Sequence, residues 1–384
     1  MTVSASTGAD EPGRLLRAML SIPSVSGQEG AVATFLAEQM ARLGLRSSVD
    51  AVGNVHGVIG PVDAPTVMLL GHIDTVPGVV PVCRVGDLLY GRGAVDAKGA
   101  IVAMTHAATR ARDVRVHVVG AVGEEVAGAR GARHVMASVP RPDAVVIGEP
   151  SGWEGVCLGY KGRVGVHYEI ERPLQHTSSP EPTAVAMAAE FARMVEDQMR
   201  AASDGGEPVG FANAQATLVR LTGDLGRAEA LLTCRVPPGF DFAAFEARAR
   251  RFPHTRVELD EQVPAVRRTR HDVVVSRLRA AIAAHGGSPV LKLKAGTSDM
   301  NTIEPWQVPM AAYGPGDAHL DHTDDEHIPL PELSRSVEVL TTALDGMGAR
   351  LAAEREQGTG DRLGGGRHRQ LPVGAAAAGR GGRP

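Results

Sequence analysis

The chain has 384 residues, room for two or three domains of ~100–200 residues each. Hydrophobic residues make up 43% but aromatics only 3%, so the expected core is large and built from Ala, Val and Leu. With 40 Lys plus Arg against 44 Asp plus Glu the net charge is −4, which gives no electrostatic expectation of nucleic acid.

Residues 1–12 are small and polar and predict a frayed start. Apolar residues then recur at helical spacing (Leu15, Leu16, Met19, Leu20; Val32, Phe35, Leu36, Met40), with Ile22-Pro23-Ser24-Val25-Ser26-Gly27 as the break. Residues 67–70, 114–122 and 144–147 are short apolar runs of the kind that buried strands need, and 97–110 reads as a helix between the first two. Strands alternating with helices predict α/β layering with a parallel or mixed sheet.

Near Lys161-Gly162 the pattern changes. Val164, Val166, Tyr168 and Ile170 alternate with Gly165, His167 and Glu169, as on a half-exposed strand. A helix (183–200), two strands (216–221 and 229–236) and another helix (242–251) follow, an order that predicts a ferredoxin-like β-α-β-β-α-β insert. The expected division is 1–162 and 266–355 for one catalytic domain, 163–265 for the insert, and 356–384 for a disordered Gly-, Ala- and Arg-rich tail. After a helix at 272–285, loops rich in Gly, Asp and His are expected. Cys83, Cys157 and Cys234 fit neither a metal pair nor a disulfide framework, and no apolar run approaches the ~18 residues of a membrane span. The expectation is a cytoplasmic protein without a membrane partner.

Five segments carrying acids or histidines lie at strand ends or in loops. His72-Ile73-Asp74 follows the first apolar run, and Asp74 can fold back on the ring to fix its tautomer. Asp96, in Gly91-Arg92-Gly93-Ala94-Val95-Asp96-Ala97-Lys98-Gly99, alone reads as a helix cap. Glu124-Glu125 alone reads as a solvated turn, Gly148-Glu149-Pro150 places a lone Glu after a buried strand, and 319–327 is a dense acid and histidine loop. Together His72, Asp96, Glu125, Glu149 and His322 supply two imidazoles and three carboxylates. That set suits two Zn²⁺ ions, with Co²⁺ or Mn²⁺ as substitutes, one carboxylate bridging and a His and a carboxylate on each side.

In this order the segments resemble the co-catalytic zinc aminoacylase and carboxypeptidase family, which includes acetylornithine deacetylase and succinyl-diaminopimelate desuccinylase; the resemblance covers residues 12–350. It implies a zinc-peptidase-like α/β domain with a mixed sheet, interrupted by a ferredoxin-like α+β lid that forms a homodimer. One metal falls to His72, Asp96 and Glu149 and the other to Asp96, Glu125 and His322, with Asp74 orienting His72. Glu124 is implied as general base and acid, His176 as an oxyanion donor across the dimer, Arg235 as the anchor of a substrate carboxylate, and Gly296 and Thr297 as further substrate contacts. A cis peptide is implied at Asp96-Ala97. Gly148-Glu149-Pro150-Ser151-Gly152-Trp153, Leu158-Gly159-Tyr160-Lys161-Gly162-Arg163, Gly296-Thr297-Ser298-Asp299-Met300-Asn301 and Tyr313-Gly314-Pro315-Gly316-Asp317 are similar to one branch of that family. Its members release lysine or ornithine from a small acidic carrier protein. A small-molecule N-acyl-amino acid deacylase and a metal-containing relative that only binds are the alternatives. The intact Glu124 speaks against the second, since binding needs no base.

Overall fold

A computed structural model describes residues 11–203, 210–252 and 256–364; the expected frayed start falls almost wholly outside them. Helices α1 (Glu11–Leu20) and α2 (Gly30–Arg42) flank the predicted break. Strands β1 (Arg46–Val49), β2 (Val55–Ile59) and β3 (Thr66–His72) follow, then a hairpin of β4 (Cys83–Val85) and β5 (Leu88–Tyr90). Next come α3 (Lys98–Ala108), β6 (Arg115–Ala121), α4 (Arg130–Ser138), β7 (Ala144–Gly148) and β8 (Gly155–Tyr160). The β-α-β-β-α-β order predicted for the insert is present as β9 (Gly162–Glu171), α5 (Ala184–Ala201), β10 (Gln215–Gly223), β11 (Arg227–Val236), α6 (Phe242–Ala249) and β12 (Arg256–Leu259). The chain then returns through β13 (Val266–Arg267), α7 (Val273–Ala284), β14 (Val290–Lys294), α8 (Asp299–Ile303), β15 (Met310–Ala312), β16 (His327–Pro329) and α9 (Leu330–Gly364).

The larger sheet is mixed, in the order β1-β2-β6-β3-β7-β15-β8-β13, with β14 on β8. Period-two alternation puts helices on both of its faces. Val67 and Leu69 of β3 share a core with α1, α2, α3, α7 and α9, whereas Met68 and Leu70 pack with Val135 of α4 and Met300 of α8. The second sheet, β10-β11-β9-β12, is antiparallel, and α5 and α6 cover one face of it over a separate core that includes Tyr168, Phe191 and Leu232.

Two expectations need correction. Beyond residue 285 the chain is not mainly loop, for it adds β14 and β15 to the large sheet and ends in a long helix. The tail expected to be disordered from 356 is helical as far as Gly364, with 365–384 outside the described residues. Leu333, Val337, Leu340, Leu344, Met347 and Leu351 bury one side of α9. An Arg350–Glu354 pair at 2.8 Å and an Arg355–Asp143 pair at 2.6 Å support its later turns. No helix among the described residues is long and apolar enough to cross a membrane.

Candidate metal centre and its cleft

Three parallel neighbours, β6, β3 and β7, end side by side, with His72 opposite Ala121 and Gly71 opposite Gly148. The carboxyl ends of such strands form the crevice of an open α/β sheet. His72 closes β3, Glu124 and Glu125 follow β6, and Glu149 follows β7, so sequence order alone delivers these side chains to one rim. Glycine lets the strands meet closely, since a Cβ on Gly148 would stand 3.1 Å from the Cα of Gly71 and force a shift of a few tenths of an ångström.

Asp96 is not the helix cap that it resembles in isolation. Helix α3 begins at Lys98 with Ala97 as its N-cap and no side-chain cap, and the Asp96-Ala97 peptide is cis. Its carboxylate lies between two imidazoles instead. Oδ1 is 2.9 Å from His72 Nε2, and Oδ2 is 3.1 Å from His322 Nε2. His322, at φ 64°, also approaches Glu125 Oε1 at 3.0 Å. His72, Asp96 and Glu125 each offer a ligand atom within 4.8 Å of the others. Glu149 is not in that trio, but it is buried and feels the charges of Asp96 and His72.

Asp74 acts mainly on backbone. The acceptor nearest His72 Nδ1 is the Asp74 main-chain carbonyl at 3.0 Å, with the carboxylate at 3.6 Å. That carboxylate accepts the N–H groups of Glu124 and Glu125, each at 3.1 Å, and the Ser26 hydroxyl at 2.7 Å. Burial pushes it up, yet His72 and these donors hold it at about 2. The Asp74 carbonyl thus fixes the tautomer of His72, while its permanent carboxylate fixes the turn bearing the two glutamates.

The remaining acids behave as a cluster short of cations. Burial and then the charge of Asp96 push Glu149 up to about 8 and Glu125 up to about 7. Burial raises Glu124 well above the usual carboxylate range, with Glu149, Asp299 and Glu125 adding to it against the pull of His72. Asp299 goes to about 7 through burial, and neither of its oxygens has a hydrogen-bond partner. Hydrogen bonding to Asp96 raises His322 to about 9. Carboxyls and imidazoles that hold protons at neutral pH this close together form a donor set that divalent cations fit, by taking the place of those protons.

The cluster floors a cleft of about 1410 Å³ between the two sheets. Gly296 and Thr297 line it, and Arg235 on β11 donates Nη1–H to Thr297 Oγ1 at 2.9 Å. His176 does not reach the cleft within this chain; it is exposed on the β9–α5 loop, with Nδ1 2.8 Å from Ser178 Oγ. His319 is likewise exposed and paired with Asp317. Sequence reasoning missed Glu326. Its buried carboxylate takes the N–H groups of Gly93 (3.0 Å), Val95 (2.9 Å) and Asp96 (3.1 Å) and pairs with Arg92 at 2.9 Å. The signal was a Glu four residues after His322, in a loop crowded with other acids.

Residues 68–346 match the model of peptidase family M20/M25/M40. The chain is 42% identical over 349 residues to LysW-lysine hydrolase of Deinococcus radiodurans, covering 86% of this chain and 95% of that protein. Among solved structures it is similar to an M20 family metallo-carboxypeptidase from Sulfolobus solfataricus (TM-score 0.73, 18% identity, 88% of this chain and 100% of that one). It is also similar to a tripeptidase from Staphylococcus aureus (TM-score 0.75, 18% identity, 89% and 99%).

Proposed function

The chain belongs to peptidase family M20/M25/M40, and from that membership we propose a metal-dependent amidohydrolase that releases lysine or ornithine from a conjugate with a small amino-group carrier protein. The observation that carries this reading is Asp96 held between His72 and His322, with Glu125 and the half-buried Glu124 beside it. His72, Asp96 and Glu149 would hold one divalent cation and Asp96, Glu125 and His322 a second, zinc by preference. Bound there, the pair supplies Lewis-acid polarisation of the amide carbonyl and a water of lowered pKa.

The chain's own groups do the rest. Glu124 accepts the proton of the attacking water and delivers it to the leaving amine, from its place at the end of β6 in the same cleft. The Arg235 fork holds the α-carboxylate of the departing amino acid, while Gly296 and Thr297 border the same pocket. Residues 163–265 act as lid and dimer contact. The edge strand β10 supports that role, with Leu218 and Val219 38% and 57% exposed, and His176 of the partner subunit completes the oxyanion site. The protein works in the cytoplasm, where Cys83, Cys157 and Cys234 remain thiols.

The test is amino-acid release, followed by mass spectrometry, from lysine amide-linked to the γ-carboxyl of a C-terminal glutamate, before and after chelation and zinc return. Release that chelator stops and zinc restores is expected. Turnover of N-acetyl-ornithine alone would replace this reading with small-molecule deacylation, and no turnover of either would leave a binding protein.

A further inference from the structure

Strand β14 is an edge of the large sheet. It pairs in parallel with β8, from Val290 opposite Gly155 to Lys294 opposite Tyr160, and no other described strand pairs with it. Val290 N–H donates to Glu154 O at 2.8 Å, and Lys294 O accepts from Lys161 N–H at 3.2 Å. Residues 290, 292 and 294 therefore turn their backbone groups towards β8, and by alternation Leu291 and Leu293 turn theirs outwards. This edge is open and apolar, with Val290, Leu291 and Leu293 51%, 38% and 37% exposed. Such an edge is a template for another extended chain unless something covers or blunts it.

Its position ties it to catalysis. β14 runs straight into Ala295, Gly296 and Thr297, which wall the cleft that holds Asp96, Glu125 and Glu149. Two of the four lysines in the chain, Lys292 and Lys294, line the cleft from this strand. Lys292 Nζ is anchored on Ser151 O at 2.6 Å, and Lys294 lies over the Tyr160 ring at 5.8 Å. Neither Lys294 nor Arg235 across the cleft makes an ion pair with a carboxylate among the described residues, whereas Arg133 and Arg163 are paired with Glu261 and Asp260.

We propose that the outer edge of β14 takes up an acidic, extended peptide as an added parallel strand whose C-terminal residue enters the cleft. Backbone pairing with Leu291 and Leu293 supplies the affinity, and Lys292 and Lys294 select negative charge. The direction follows from the same charges. A leading carboxylate is attracted by Lys294, whereas an antiparallel peptide would bring its terminal ammonium against it. The occupant is thus the C-terminal segment of the carrier, and the inference rests on the carrier reading above.

Two substrates and one variant test it. Lysine is amide-linked to the γ-carboxyl of a lone N-acetyl-glutamate, or of a glutamate ending a six-residue acidic peptide. With the zinc-loaded enzyme the longer substrate should show kcat/KM at least ~10-fold higher. N-methylating one alternate set of its amides should abolish that gain, while methylating the other set should leave it. Leu291→Pro, which removes an outward N–H and spares the bonds to β8, should also abolish the gain and leave the short substrate unchanged. A gain insensitive to both methylation patterns, or no gain, overturns the added strand even if the variant does not fold. Failure to cleave either conjugate, with acetylated amino acids cleaved instead, overturns the carrier reading itself.

Discussion

The carboxylate of Glu326 grips the backbone of Asp96 and leaves its side chain free. Oε1 accepts the Asp96 N–H at 3.1 Å and the Val95 N–H at 2.9 Å, while Oε2 takes Gly93 and Arg92. Among the described residues Asp96 approaches both histidines, and this grip holds the backbone that carries it. Glu326→Gln leaves one acceptor where two were needed and strands buried N–H groups, at about 1–3 kcal/mol each. Zinc affinity should fall by ~10–100-fold, as on losing an outer-shell partner. Competition with a zinc chelator measures it, and unchanged affinity would make Glu326 merely structural.

The adjacent glutamates should separate cleanly. Glu124→Gln should keep two zincs per chain and near-native stability, with kcat down by at least ~10²–10⁴-fold. Glu125→Gln should lose or weaken one zinc and regain part of its activity at high metal concentration. Metal content and kcat on both variants decide the roles, and zinc loss from Glu124→Gln would reverse them.

His176 should act across a dimer. A mixture of inactive His176→Ala with inactive Glu124→Gln should recover part of the activity through hybrid dimers, since one cleft in each hybrid has both groups intact. No recovery, once subunit exchange is confirmed by native mass spectrometry, would confine His176 to its own chain or to no role.

Away from the cleft, His117 Nε2 lies 3.0 Å from His56 Nδ1, whose ring in turn reaches Asp50. Burial, then the charges of His56 and Arg115, lower His117 from 6.5 to about 4. The folded state thus disfavours its proton. The stability it contributes is complete above pH 6.5 and is lost as pH falls from there towards 4. The loss reaches about 3 kcal/mol by the lower limit. His117→Gln should flatten that part of the decline in urea-unfolding stability, and equal slopes for variant and wild type would count against it.

Much of the cluster is legible in the sequence because its side chains follow apolar runs. His72, Glu124, Glu125 and Glu149 stand just where strands β3, β6 and β7 must end. What was not legible acts through backbone or through distant pairing. Glu326 and the Asp74 carboxylate both spend their oxygens on N–H groups, which leave no trace in residue type. β15 has three residues and becomes a strand only by lying against β7. Helix α9 escaped because Ser336 and Val339 are buried as well as its apolar stripe; with α3 and α7 both packed on it, the polar face that would mark the period is narrow.

Strand β15 sits between β7 and β8, two strands made long before it. The large sheet therefore cannot close between β7 and β8 until the residues that follow the second sheet, with its separate core, have been made. His322 lies ten residues beyond Ala312, the end of β15, so the segment that closes the sheet also brings the second imidazole to Asp96. A chain that stops before this point carries His72, Asp96, Glu125 and Glu149 without the imidazole that faces Asp96 Oδ2. Closure of the large sheet and the arrival of His322 opposite Asp96 thereby fall together in chain order.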